Sequence, residues 1–185
     1  MHVPGQYYHI YNRGIGRQPI FTTEENYRFL VRRAEAYLAD SDVTVVAYCL
    51  MPNHYHFLMR PQQDDALSRF IQRLFNSYSQ AFNRQEGRRG TLFEGRAKSI
   101  LVEREEHVLH LCRYIHLNPV KAQLVENPAD WLFSSYLDWI GQRAGTLVDR
   151  EFVQAYFPST ADYELFVESG IDSSVEREMC AYWPD

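Results

Sequence analysis

Residues 43–60 read VTVVAYCLMPNHYHFLMR, and their pattern decides the fold. The run 43–50 is rich in β-branched and apolar residues, which predicts a buried strand. Met51-Pro52-Asn53 is a turn signal. Residues 54–60 alternate apolar and polar, which predicts a partner strand and makes the whole stretch a hairpin. Successive strand residues point to opposite faces, so His54 and His56 project together and Tyr55 projects the other way.

Working outward, residues 6–13 (QYYHIYNR) alternate and predict a first strand, ended by Gly14 and Gly16. Thr23 with Glu24 and Glu25 opens a helix running to about Asp40 on apolar spacing from Tyr27 to Leu38. Beyond the hairpin, Asp64 or Asp65 is placed to cap a helix reaching about Arg84, with Leu67, Phe70, Ile71, Leu74, Phe75, Tyr78 and Phe82 on one side. Residues 97–103 (AKSILVE) predict a fourth strand. A helix follows from Glu105, and Pro119 is expected to end or bend it near Asn118. The run WLFSSYLDWI (131–140) predicts a further short helix. The order β-α-β-β-α-β-α predicts an α+β fold, an antiparallel or mixed sheet with helices packed on one face, plus a C-terminal tail.

The chain has 185 residues and a net charge of −5. That acidity is local. Residues 1–145, expected to form the main domain, carry 17 basic and 15 acidic residues, net +2. Residues 146–185, expected to form an aromatic-rich tail, carry 2 basic and 9 acidic residues, net −7. Residues 84–98 (RQEGRRGTLFEGRAK) hold five basic and two acidic residues, interleaved with glycines and aromatics. Such a strip suits a phosphate backbone, and it equally suits a solvated loop. Cys49, Cys112 and Cys180 are odd in number and widely spaced, which predicts reduced thiols rather than a disulfide framework or zinc site. No apolar run is long enough to cross a membrane and no secretory signal is visible, so a cytoplasmic protein is expected.

Two constellations can carry chemistry. Two imidazoles on one strand face make a partial site for a divalent cation, and the same letters suit a half-exposed sheet face. Tyr114 and Asn118 are four apart on the predicted helix and share a face. A phenol can serve as a nucleophile, and an amide oxygen can ligate a hard cation. A core tyrosine and a helix-end asparagine account for the same residues. His116 lies about 200° around the helix from Tyr114 and should face elsewhere.

Five segments in this order resemble the REP-associated tyrosine transposases, a branch of the single-tyrosine HUH transposases of the IS200/IS605 type. They are YHIYNRGIGRQPIF (8–21), MPNHYHFLM (51–59), GTLFEGRAKS (90–99), RYIHLNPVKA (113–122) and the trailing Trp131, Ser134, Ser135 and Tyr136. The resemblance spans residues 6–137 and implies a ferredoxin-like antiparallel sheet. It implies that His54, His56 and Asn118 bind Mg²⁺ or Mn²⁺ and that Tyr114 is the nucleophile. It implies cleavage and rejoining of single-stranded DNA at palindromic hairpins through a 5′-phosphotyrosine. The alternative is a hairpin-binding protein that does not cut. Arg13, Arg96 and Lys98 are expected to hold phosphates at the site, with Arg84, Arg88 and Arg89 along the basic strip. Where relatives often read NPVRAGLV this chain has Lys121 and Gln123, departures expected to touch only details of DNA contact. The resemblance is compatible with a monomer or a homodimer. The acidic tail suggests a segment that competes with DNA, or one that simply packs on the body.

Overall fold

A computed structural model describes residues 2–170. Its strands are β1 (Tyr7–Arg13), β2 (Val43–Met51), β3 (His54–Pro61) and β4 (Lys98–Val102). They form one sheet in the order β2-β3-β1-β4, antiparallel throughout. The helices are α1 (Glu24–Leu38), α2 (Ala66–Gln85), α3 (Glu105–Lys121), α4 (Tyr136–Trp139), α5 (Arg150–Tyr156) and α6 (Thr160–Glu168). The α+β class and the antiparallel sheet are as the sequence predicts.

Strand alternation sorts the sheet into two faces. On β3, Tyr55, Phe57 and Met59 join Leu30 and Ala34 of α1 and Leu67, Phe70, Leu74 and Phe75 of α2 in one core. The Tyr55 ring lies parallel on Phe75, with centroids 4.0 Å apart. Leu58 points the other way, into a second core with Val108, Leu111, Cys112 and Ile115 of α3. A register shift on β2 between Val45 and Ala47 puts Val46 and Ala47 side by side on that second face. The expectation of helices on one face therefore needs correction: α1 and α2 cover one face, and α3 covers the other. The physical cause is that β2 and β3 are apolar on both sides, so neither face can be left to water.

Three local expectations also change. Asp65 stands at the N-cap of α2 but has φ 58° and makes no capping bond through its side chain. Pro119 does not end α3, which runs on to Lys121. So near the terminus the proline forfeits a single bond, to the Ile115 carbonyl. The end is then closed by Gln123 N–H donating to Val120 O (2.9 Å) and Leu124 N–H donating to Pro119 O (3.0 Å). That is a Schellman closure, and it puts Gln123 in the left-handed region at φ 56°. Finally, only Tyr136–Trp139 of the 131–140 run is helical. Residues 131–135 instead lie along β2, where Leu50 N–H donates to Phe133 O (2.9 Å) and Ser135 N–H to Tyr48 O (2.9 Å). Aromatic spacing suggested a helix, but the edge of β2 offered these residues backbone partners.

From Gly145 to Gly170 the chain stays on the body. Leu147 and Val148 enter the first core; Phe152, Tyr163 and Val167 enter the second. Residues 171–185, including Cys180 and the Tyr182 and Trp183 aromatics, lie outside the described residues. Among the described residues no helix is long and apolar enough to cross a membrane.

Candidate active site

The exposed end of the α3 face is where polar side chains collect. His54 and His56 project there from β3, as the strand period requires. Residues of equal parity on β1 come with them, because Arg13 pairs with His54 and Tyr11 with His56. On α3, Tyr114 and Asn118 turn toward the same place. The Tyr114 ring meets the His56 ring edge-on, centroids 5.7 Å apart. Asn118 reaches both imidazoles, with Oδ1 3.2 Å from His54 Nε2 and Nδ2 3.4 Å from His56 Nε2. The structure thus brings together the four residues singled out as nucleophile and metal ligands.

The hydrogen-bond network assigns the histidine tautomers. Asn53 Nδ2 donates to Arg17 O (3.3 Å), which turns Asn53 Oδ1 toward His54. That oxygen only accepts, so His54 Nδ1 carries a proton and donates to it at 2.7 Å. In a neutral imidazole Nε2 then holds a lone pair. It faces Asn118 Oδ1, a second acceptor. An imidazole nitrogen and an amide oxygen this close are both groups that a divalent cation accepts as ligands. The donor set therefore fits a divalent ion. Burial, reinforced by His9 and then His54, pushes the His56 pKa well below its ordinary value and keeps that imidazole neutral. Among the described residues no group of three His, Cys, Asp or Glu side chains is placed to hold a metal. An ion here would rest on two imidazoles and one amide oxygen.

A cleft of about 410 Å³ opens beside His54 and His56. Arg13, Arg17, Arg96 and Lys98 line it against a single carboxylate, Glu94. Arg13 Nε sits 2.5 Å from that carboxylate. The cleft suits a polyanion. Three of the expected basic contacts, Arg13, Arg96 and Lys98, therefore lie at the site. Arg84, Arg88 and Arg89 do not line this cleft. They belong to the end of α2 and the loop after it, where Arg88 lies over the Phe82 ring at 6.0 Å.

Sequence reasoning passed over several site residues. Arg17, in the short 3-10 turn after β1 (Ile15–Arg17), and Asn53, in the β2–β3 turn, looked like loop letters. Lys121 was placed at the periphery, yet its Nζ stands 5.0 Å from the Tyr114 ring centroid. The available signal was helical: Lys121 is seven residues, two turns, after Tyr114. His116 faces away from Tyr114 as expected, bonded to Tyr163 and Ser135.

The family described as "Transposase IS200 like" matches this chain over residues 2–118. A protein named as a REP-associated tyrosine transposase, from Haemophilus influenzae, is 31% identical over 101 residues. That alignment takes in 49% of this chain and 57% of the relative, so the chain spans little more than half of the relative's length. A solved REP-associated tyrosine transposase bound to a REP hairpin has the same fold, with a TM-score of 0.65 at 20% identity, covering 80% of this chain and 91% of that one. The family match takes in all four strands, the hairpin histidines and α3 through Asn118, and the chain belongs to the IS200-like transposase family.

Proposed function

We propose that this protein is a metal-dependent tyrosine transposase that cleaves and rejoins single-stranded DNA at palindromic hairpins. One observation carries the reading: a buried tyrosine on α3 lies edge-on to His56, and the Nε2 atoms of His54 and His56 converge on Asn118. His54, His56 and Asn118 would hold Mg²⁺ or Mn²⁺, which when bound supplies Lewis-acid polarisation of the scissile phosphate. The chain's own residues do the rest. Arg13, Arg17, Arg96 and Lys98 hold the phosphate backbone in the cleft. Tyr114 Oη attacks phosphorus as the P–O3′ bond breaks, giving a 5′-phosphotyrosine, and the proton lost by the phenol is balanced by one taken up by the departing 3′-oxygen, which leaves as a 3′-OH. The phosphodiester energy is retained in the tyrosyl ester, so rejoining requires no nucleotide cofactor. Lys121 sets a positive charge beside the ring that becomes anionic.

The test is a covalent adduct on a denaturing gel. Full-length protein is mixed with single-stranded oligonucleotides carrying palindromes from the DNA flanking its gene, with Mn²⁺ or Mg²⁺. The expected adduct requires the metal and disappears in Tyr114→Phe. Hairpin binding without any adduct would support instead a protein that recognises palindromes and does not cut.

A further inference from the structure

We infer that His9, on β1, is a positioning residue that fixes the tautomer and direction of the metal ligand His56. The inference rests on the metal-site reading above and extends it to a residue with no assigned role. His9 is fully buried on the sheet face shared with His56. Its Nε2 lies 3.0 Å from His56 Nδ1, and the two rings stack with centroids 5.1 Å apart at 15°. On its other side His9 stacks on Tyr11, centroids 4.9 Å apart. The register explains the placement: His9 pairs with Leu58, one step along from the Tyr11–His56 pair, so its ring reaches diagonally.

One proton occupies the His9–His56 bond, and its owner decides whether the site can form. If His9 donates, His56 Nδ1 is the acceptor and a neutral His56 must carry its proton on Nε2. That proton would point at Asn118, and no lone pair would remain for a metal. If His56 Nδ1–H donates to His9 Nε2, the His56 Nε2 lone pair faces Asn118 Nδ2–H, a donor. The second arrangement gives both groups that face His56 a matching role, His9 Nε2 as acceptor and Asn118 Nδ2–H as donor. It also matches the neighbouring ligand, where His54 Nδ1–H donates to Asn53 Oδ1. Each strand imidazole thus presents Nε2 inward and is held through Nδ1–H by a partner on its outer side, Asn53 for one and His9 for the other. Outer partners of this kind raise ligand basicity and hold the ring, and losing one costs about 10- to 100-fold in metal affinity.

The experiment uses the full-length chain with ¹⁵N-labelled histidine. Long-range ¹⁵N–¹H spectra without metal, at pH 8, report which His56 nitrogen carries the proton. The wild type should show the Nδ1–H tautomer. His9→Phe keeps a ring but removes the acceptor, and should move the population toward Nε2–H. His9→Gln returns an amide oxygen near the Nε2 position and should restore Nδ1–H. Mn²⁺ binding, followed by electron paramagnetic resonance of the free ion, should weaken about 10- to 100-fold in His9→Phe and recover in His9→Gln. A purely structural role for His9 would shift melting temperature without this tautomer pattern. A wild type already in the Nε2–H form overturns the inference, whether or not any variant folds. So does unchanged Mn²⁺ affinity in a folded His9→Phe. A wild type with Nδ1–H that binds no Mn²⁺ overturns the metal reading alone and upholds the His9–His56 bond.

Discussion

Acidification should loosen α3 through a histidine that takes no part in the chemistry. His116 is fully buried between the sheet, Tyr163 of α6 and Ser135. Ser135 Oγ accepts from Tyr48 N–H at 2.8 Å and donates to Tyr48 O at 3.3 Å, so His116 Nε2–H donates to it at 2.7 Å. Tyr163 O–H then donates to His116 Nδ1. A second proton on the ring would displace that bond, and burial together with the nearby Arg143 charge drives the pKa from 6.5 down to about 3. The sign follows from proton uptake. Between those two values the unfolded chain binds a proton that the folded chain refuses, so stability is full above about pH 6.5 and is lost as pH falls toward 3. At pH 5 the deficit from this one group is about 2 kcal/mol. That is a large share of an ordinary domain's 5–15 kcal/mol. Carboxylates titrate over the same range, so the comparison must be made against His116→Gln, which keeps hydrogen-bonding capacity and cannot titrate. Urea unfolding at pH 7 and pH 5 should show the wild type losing about 2 kcal/mol more than the variant. Equal losses in the two proteins would refute the assignment of His116 as a neutral buried group.

Gln123→Gly should raise stability by about 1 kcal/mol, because the left-handed conformation at φ 56° costs a side chain what it does not cost glycine. Thermal melting would show a rise of about 2–4 °C, and a fall would contradict the Schellman reading. Truncation after Gly145 should yield a poorly folded protein, since it strips Phe152, Tyr163 and Val167 from the second core at about 1.5–3 kcal/mol each. Circular dichroism melting against the full chain reads that loss. Arg88→Ala with Arg89→Ala should reduce the salt dependence of hairpin binding by a slope of up to about 1.4 while leaving adduct formation at saturating DNA intact. An unchanged slope would remove the loop after α2 from the interface.

The legible parts were those governed by short periods. Alternation at 6–13 and 54–60 located β1 and β3, and it placed His54 and His56 on one face opposite Tyr55. Four-residue spacing placed Tyr114 with Asn118. The misreadings come from partners that lie far away in sequence. The 131–135 run has aromatic spacing that suits a helix, but Trp131 Nε1–H donates to Leu50 O (3.0 Å) and the run lines β2. Pro119 was read as a stop because local sterics usually rule, whereas here the Schellman closure ends the helix two residues later. The helices on the second face follow from α3 and the segments after it, whose apolar residues have no internal clue to which side they cover. His9 was quoted within a strand motif without a role. A histidine among the apolar residues of a strand is a signal, but its meaning depends on the β1–β3 register, which no single strand contains.

The run beside β2 has a genetic consequence. β4 precedes α3 in the sheet, and 131–135 follows it along β2, so the helix is stitched into its own chain at both ends. Handing α3 to a second copy would open two hinges and strip Trp139 of its bond to Val46 O. Here Tyr114 and both strand imidazoles meet within one chain. Under the proposed function, a copy altered at Tyr114 and a copy altered at His56 should then fail to repair each other. In a cell holding both alleles, activity should simply follow the dose of the intact chain.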